Sequence, residues 1–451
     1  MIRHIRLSIF AVIVSLAQAV VVRAGDAGPV VISDDGGWCW FQDERAIIHD
    51  DKLIVSTLAM GVSDKSRRGD AEVVVYDLKT GSHRWMTLFD DIGADDHNMG
   101  AFVVMPGGRI LAVAATHGAT NWFAARVSEP DDPLKWGPVD RVVPTEKSRI
   151  TYSNLHRLSA ENGRIYNFYR GLDNSFKPSF AYTDDNAATW TSGGIFIDVP
   201  AKVRHRPYVK YASNGLDTIH MVYTEGHPRD FDNSIYHIFY RAGSLHGSAG
   251  SPIAPLSKGL SKPQLGTVVY QGGVTNVAWT QDVELDGNGQ PVVVFSTQRD
   301  PSTLGAGHPE SGRDHRYHYA RWDGSQWIEH EIAFAGSRLY PKEDDYTGLI
   351  ALHPDDVTQV YFSTNVEPTT GKPLISGADG KQHYEIFHGV TSDGGKSWKF
   401  EAVTKNSTLD NIRPTVPKWG KEGKGRTAVL WLRGKLETYT QYQLQVVALI
   451  R

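Results

Sequence analysis

One local pattern recurs seven times along the 451 residues and constrains the fold more than any other feature. Each copy is a short apolar run, a turn rich in Gly, Asp, Asn or Pro, and a second apolar run, the signature of a β-hairpin. The first three copies are Ala46-Ile47-Ile48 with Leu53-Ile54-Val55, Phe102 to Met105 with Ile110 to Ala115, and Leu155 to Leu158 with Ile165 to Tyr169. The next two are Tyr208 to Tyr211 with Thr218 to Tyr223, and Val283 to Leu285 with Val292 to Phe295. The last two are Leu349 to Leu352 with Val360 to Ser363, and Pro414 to Trp419 with Thr427 to Leu432. Turns roughly 53 to 73 residues apart leave room for one four-stranded unit per repeat. Such units repeated around an axis give an all-β, seven-bladed β-propeller, expected to occupy residues 25–451 as one domain. The final strand, Tyr442 to Leu449, has no repeat of its own. It is expected to pair with Val30 to Ile32 and close the ring, which removes exposed strand edges.

Long amphipathic helical patterns are absent. Aromatic residues make up 10% of the chain and there are 44 glycines, a balance that favours short strands and tight turns. Two stretches fit the Asp-box turn: Thr391 to Trp398 in full, and Thr183 to Trp190 without its glycine. These are structural turns and carry no chemistry. Residues 1–24 read as a secretory signal, with Arg3 and Arg6 before the apolar Leu7 to Leu16 and small residues at Ala17-Gln18-Ala19 or Val22-Arg23-Ala24. The apolar run is short for a membrane span, and no later segment is suited to one, so a secreted or periplasmic monomer is expected. The single cysteine, Cys39, has no internal disulfide partner and reads as a packing residue. A net charge of -4 provides no global field for nucleic acid or a membrane surface. An anionic partner must then be held by a local cluster of Arg and His.

The second hairpin supplies such a cluster. His97 lies ten residues before Gly107 and His117 ten residues after it. In an antiparallel ladder these positions fall opposite each other with side chains on one face. Two imidazoles at the open end of a hairpin form an acid/base or ligand pair near neutral pH, or simply cap the strand ends. If every hairpin is the inner half of a blade, the open ends converge on one central funnel. The third hairpin then contributes Tyr152 and Arg170. The fourth contributes Arg206, Tyr208, Tyr223 and His227, and the fifth Trp279 and Asp282. The sixth contributes Asp345 and Tyr346, the seventh Arg413 and Arg433, and the first Asp43 and Arg45. A funnel of Arg, His, Tyr and Trp suits an anionic sugar, because Arg takes carboxylate or sulfate bidentately and aromatic faces stack on pyranose rings. Arg206 and Arg413 each precede a proline and could instead brace a strand start through Asp43 or Asp282. No tight His-x-His or Glu-x-x-His spacing supports zinc. Asp95, Asp96 and Asn98 could hold a structural calcium through oxygen, although no dedicated calcium loop is present, and the expected chemistry needs no cofactor.

Gly37 to Ala46, the His97/His117 hairpin, Tyr152-Ser153-Asn154, Tyr169-Arg170-Gly171, Arg206-Pro207-Tyr208 and Asp345 to Gly348 together resemble BNR-repeat propeller proteins. Among these are the propeller-type polysaccharide lyases, namely ulvan lyases and rhamnosyl-glucuronate lyases. The resemblance implies His97, His117, Tyr152 and Arg170 as catalytic residues, with Arg206 as the rival for neutralising a uronate. Asn98, Arg206, Tyr208, Tyr223, His227, Trp279 and Tyr346 are expected to bind substrate. The expected activity is β-elimination on a uronate-containing polysaccharide, either sulfated and ulvan-like or a rhamnosyl-glucuronate. The alternatives are a sialidase-like glycoside hydrolase, which needs two flanking carboxyl groups, and a non-catalytic carbohydrate-binding propeller.

Overall fold

The computed structural model describes residues 28–198, 206–420, 423 and 425–451. The expected leader, residues 1–24, lies outside them. Within them seven antiparallel sheets follow one another along the chain. Blade one is formed by Ala46–His49, Lys52–Leu58, Ala71–Asp77 and His83–Phe89. Blades two to six begin with the inner strands Gly100–Val104, Thr151–Leu158, Val209–Ser213, Val277–Leu285 and Ile350–Leu352. Neighbouring blades meet chiefly through these first strands, which surround the axis. Each pairs with the second strand of its hairpin, so the fold is the expected seven-bladed β-propeller with the recurring hairpins on the inside.

Blade seven mixes both ends of the chain. Asp410–Thr415, Ala428–Thr438 and Gln441–Ile450 are completed on the outside by Val30–Ser33, with Val30 opposite Ala448 and Val31 opposite Val447. The expected closure is therefore present. The seventh inner strand departs from expectation: it runs from Asp410 to Thr415, not from Pro414 to Trp419. The apolar run after Pro414 misled because the true strand carries Asn411 and Arg413, polar residues that are buried only because each finds partners. Burial of a polar group is tolerated when it is hydrogen-bonded, and hydropathy alone does not reveal that.

Each inner strand runs away from the funnel and each second strand returns to it. All seven hairpin turns thus lie on the far face, and the strand starts lie on the funnel face. In blade two the turn is made by Gly107 and Gly108, both at positive φ (77° and 73°), where a side chain would be strained. The Asp boxes close outer turns on the far face. Asp393 accepts from the Ser397 amide and hydroxyl, and Asp185 repeats the pattern with Thr189. The second box folds without its glycine because Ala187 itself takes φ 73°. No helix among the described residues is long and apolar enough to cross a membrane.

Side chains of adjacent sheets interleave between the blades. Ile32, fully buried, inserts into the cluster shared by blades one and seven, while Val30 sits half-buried at the ladder's end. Cutting Ile32 to Ala should lower unfolding stability by about 2–4 kcal/mol, the usual cost of a core cavity. Val30→Ala should cost about 1 kcal/mol or less. Denaturant titration of the two variants checks this, and equal effects would contradict the closure described.

Candidate active site

The segment from Trp38 to Phe41 leaves the outer edge of blade seven and crosses the funnel face to the axis. Trp40 and Phe41 form a floor there with Tyr208, Trp279, Tyr340 and Tyr346. Phe41 lies 4.7 Å from Tyr208 and 5.7 Å from Tyr152, and Trp40 lies edge-on to Trp279 at 5.1 Å and to Tyr346 at 5.2 Å, centroid to centroid. Edge-to-face packing of this kind favours one arrangement over many and makes the floor rigid.

Above the floor stand the two histidines. The ladder of blade two pairs Gly100 with Ala114, and carrying that register three residues outward sets His97 opposite His117. Their rings stack at 3.8 Å, nearly parallel at 10°. One carboxylate serves both: Asp95 Oδ1 lies 2.6 Å from His97 Nδ1, and Oδ2 lies 2.9 Å from His117 Nδ1. Asp96 Oδ1 approaches His97 Nδ1 at 2.9 Å. Tyr439, at the tip of the last hairpin, points edge-on at both rings from 5.4 and 5.5 Å.

The two rings carry different charge. Burial opposes protonation of His97, but Cys39, Tyr152, Asp95 and Asp96 outweigh it and hold its pKa well above the ordinary imidazole value. Of these, the two carboxylates in direct contact are the physical reason. Burial, the charge on His97 and Arg170 push His117 down to about 4, so at neutral pH it is uncharged. With Nδ1–H donated to Asp95, its Nε2 keeps a free lone pair. Asp95 stays ionised: burial acts against the charge, but both histidines hold its pKa well below the usual carboxylate range.

Tyr152 and Arg170 come from blade three. A bulge between Thr151 and Asn154 breaks the ladder, and Tyr152 takes φ 68°, so its ring swings to within 5.5 Å of His97. Bulges commonly re-aim side chains at such rims, and a bulky residue at positive φ stores strain. Burial is the main reason the Tyr152 hydroxyl has a pKa well above 10, so it keeps its proton. Arg170 lies over the faces of Tyr152 and Tyr208, at 4.9 and 5.1 Å. The chain can turn away directly after it because Gly171 has φ 110° and any Cβ there would sit 1.8 Å from the Arg149 carbonyl oxygen. Arg170 is 4% exposed, its Nε and Nη1 lack hydrogen-bond partners, and among the described residues no carboxylate pairs with it. Arg413, by contrast, is paired with Asp96, Arg206 lies 3.7 Å from Asp230, and Arg45 and Lys210 share Asp43.

The structure thus brings His97, His117, Tyr152 and Arg170 together around one opening. Arg206 and His227 lie at its edge. His227 Nε2 is 3.6 Å from Glu343 Oε2, and the ring is kept neutral by burial and by Arg229, Arg206 and Arg170. Tyr208 and Tyr346 belong to the floor. Three expected contacts do not face the opening. Tyr223 is fully buried between blades, with its hydroxyl donated to the Pro263 carbonyl. Trp279 is 1% exposed, covered within the floor by Tyr208 and His227. Asn98 donates its side-chain amide to the carbonyls of Ile92 and Gly93, bracing the loop that carries His97. Asp43 is neutralised by Arg45 and Lys210, and Asp282 accepts from the backbone amides of Val283 and Leu352. Of the residues considered for calcium, Asp95 bonds both histidines, Asp96 pairs with Arg413, and Asn98 turns its amide nitrogen to the Ile92 and Gly93 carbonyls. Asp95, His97 and His117 are close enough to share a metal, but the Nδ1 atoms that face Asp95 are already in hydrogen bonds to it. Asp95 as a bridge and Tyr439 as a wall were missed by the sequence reading. The only sequence signal was that Asp95 adjoins His97.

Solved structures with this architecture include an ulvan lyase described as a new family of polysaccharide lyase and solved bound to -[GlcA(1-4)Rha3S]-. It has 14% sequence identity and a TM-score of 0.66, and the alignment covers 93% of this chain and 95% of that chain. The polysaccharide lyase Uly1 matches at 11% identity and a TM-score of 0.57, over 91% of this chain and 89% of that one. At such identities the likeness is one of fold. No curated protein sequence matches significantly. The BNR repeat-containing family matches residues 62–335, more than half of the 451 residues, and the chain belongs to that family.

Proposed function

We propose that this protein is a polysaccharide lyase that cleaves a uronate-containing chain by β-elimination. The observation that carries the reading is Arg170, a buried cation without a counter-ion beside one neutral imidazole and one protonated phenol. Leaving a charge buried and unpaired is costly, so such a site favours an anionic ligand. A uronate carboxylate against Arg170 provides the missing charge. It also makes the C5 proton more acidic, because negative charge that develops on the carboxylate as that proton leaves is stabilised by the guanidinium.

The proton steps then divide by pKa. His117 Nε2 takes the C5 proton. The C5–H electrons form the C4=C5 double bond, the C4–O4 bond breaks, and the Tyr152 hydroxyl protonates the departing oxygen. Because Arg170 is one of the charges that depress His117, a carboxylate neutralising Arg170 raises the basicity of His117 when substrate binds. Asp95 orients both rings, and charged His97 stays beneath as a fixed positive plate. A hydrolase would instead need two free carboxyl groups flanking the bond. Of Asp43, Asp282 and Asp345, the first two are engaged in structural contacts, and the third is buried, its pKa pushed up to about 7 chiefly by that burial.

Incubation with uronate polysaccharides should raise near-ultraviolet absorbance, since the product double bond is conjugated to a carboxylate. His117→Ala, Tyr152→Phe and Arg170→Ala should each lower the rate by about a hundredfold or more while leaving the unfolding midpoint near that of the parent. Reducing ends without an ultraviolet rise would indicate hydrolysis, and binding with neither signal would indicate a lectin-like role.

The pH profile gives a separate check. His117 must be unprotonated to act, and its pKa is about 4. Activity should therefore fall as pH drops through 4 and stay level from there toward neutrality in kcat/KM, which reports free-enzyme groups. An acid limb centred near the ordinary imidazole value of about 6.5 would rule out His117 as the base.

A further inference from the structure

We infer that a second sugar-binding subsite lies next to His117, between blades one and two, and that it selects an unsulfated, hydroxyl-rich neutral sugar beside the cleaved uronate. This rests on the proposed reaction for its setting, but its own ground is a separate cleft of about 750 Å³. One wall is the segment from Phe89 to Gly93, which leaves the last strand of blade one. The other is formed by Thr116, Ala119, Thr120 and Trp122, from the loop that carries His117. The first wall follows a strand that ends on the funnel face, the second joins the strand that arrives there to the one that leaves it, and Asp140 begins a short strand paired with Ala125 near the funnel-face start of Phe123–Glu129. The cleft and the two histidines therefore open on the same side and are separated by the width of one loop. Asn98 fastens the outer wall through its bonds to the Ile92 and Gly93 carbonyls, so the wall is held in place from beside His97.

The lining decides the ligand. Asp90, Asp91 and Asp140 face the cleft, and all three are exposed. The only guanidinium among the lining residues, that of Arg141, lies over the Trp122 ring at 4.7 Å. Three carboxylates against one arginine accept hydrogen bonds from sugar hydroxyls but repel a sulfate ester. The half-buried Trp122 and exposed Val139 supply apolar surface for the ring carbons. Across the histidines from the cleft the cations gather, with Arg170, Arg206 and Arg229 drawn from blades three and four around His227; Arg206 and Arg229 are paired with Asp230 and Glu343, and Arg170 has no carboxylate partner among the described residues. A polymer laid across the funnel would thus place its uronate toward the arginines and its neutral neighbour in the acidic cleft.

The test uses two oligosaccharides of alternating glucuronate and rhamnose, one with and one without the 3-sulfate. Both kcat/KM from near-ultraviolet absorbance and calorimetric binding to the inactive His117→Ala protein are measured. At low ionic strength the unsulfated compound should be favoured by about tenfold or more, mainly in KM, with the gap closing as salt rises. Asp90→Asn/Asp91→Asn/Asp140→Asn should abolish the preference, and Trp122→Ala should weaken both compounds. Equal handling of the two compounds, preference for the sulfated one, a preference that survives the triple substitution, or no binding of either would overturn the inference. If calorimetry shows the preference but no double bond forms, the subsite stands and the proposed reaction fails. If elimination occurs without preference, the reaction stands and the subsite fails.

Discussion

Arg413 and Asp96 face each other at about 1% exposure each, and most of the funnel is referenced to that pair. Arg413 donates to the Trp38 carbonyl, and the Trp38 indole donates back to the Arg413 carbonyl. The Asp96 carbonyl accepts from the Cys39 amide, and the Asp96 amide donates to the Tyr439 carbonyl. The Arg413 amide itself reaches Gly348 in blade six. One ion pair therefore ties the crossing segment, the histidine loop, the last hairpin and two blades to a common point. Removing one member of such a pair is far more harmful than replacing both, because the survivor stays buried and charged. The φ of 54° at Arg413 is what turns its side chain inward, as the φ of 68° does for Tyr152 in blade three.

From this anchor the chemistry follows by the placement of charge. Asp95 binds two stacked imidazoles, but only one can be a cation at that spacing, so one ring is protonated and the other is not. The division is made by depth: His97 is enclosed with a second carboxylate, whereas His117 is open to the funnel and faces Arg170. A single loop thereby presents a fixed positive charge and a free lone pair within one stack. Arg170 differs from Arg45, Arg206 and Arg413 in being buried with no carboxylate to neutralise it, and that is the property that points outward, to a ligand.

The sequence made some of this visible and hid the rest for identifiable reasons. The hairpins were legible because period-2 apolar runs and glycine turns are local signals. The pairing of His97 with His117 was legible because ladder register is simple counting about Gly107. The geometry of Tyr152 and Arg170 was only half legible, since a bulge shifts Arg170 opposite Thr151 and no residue type announces it. Which arginine is unpaired could not be read at all: Arg170, Arg206 and Arg413 have the same side chain, and only tertiary contacts give Asp96 to one and Asp230 to another. Tyr223 was misjudged because a tyrosine at a strand end can as easily donate its hydroxyl to a backbone carbonyl in the core. Tyr439 reaches the site from the far end of the chain, on a hairpin long enough to overhang the funnel, a distance no local pattern encodes.

The closure of the ring has a mechanical consequence. Val30–Ser33 lies antiparallel to Gln441–Ile450, so the two chain ends leave blade seven side by side, on the face away from the histidines. A force pulling the ends apart loads the ladder bonds one after another, as a zipper does, rather than all together in shear. The propeller would open first at its outermost strand, while the inner strands that hold the funnel remain shielded from the load. Tethering at the ends, to a surface or to another protein, would leave the mouth pointing outward and unobstructed.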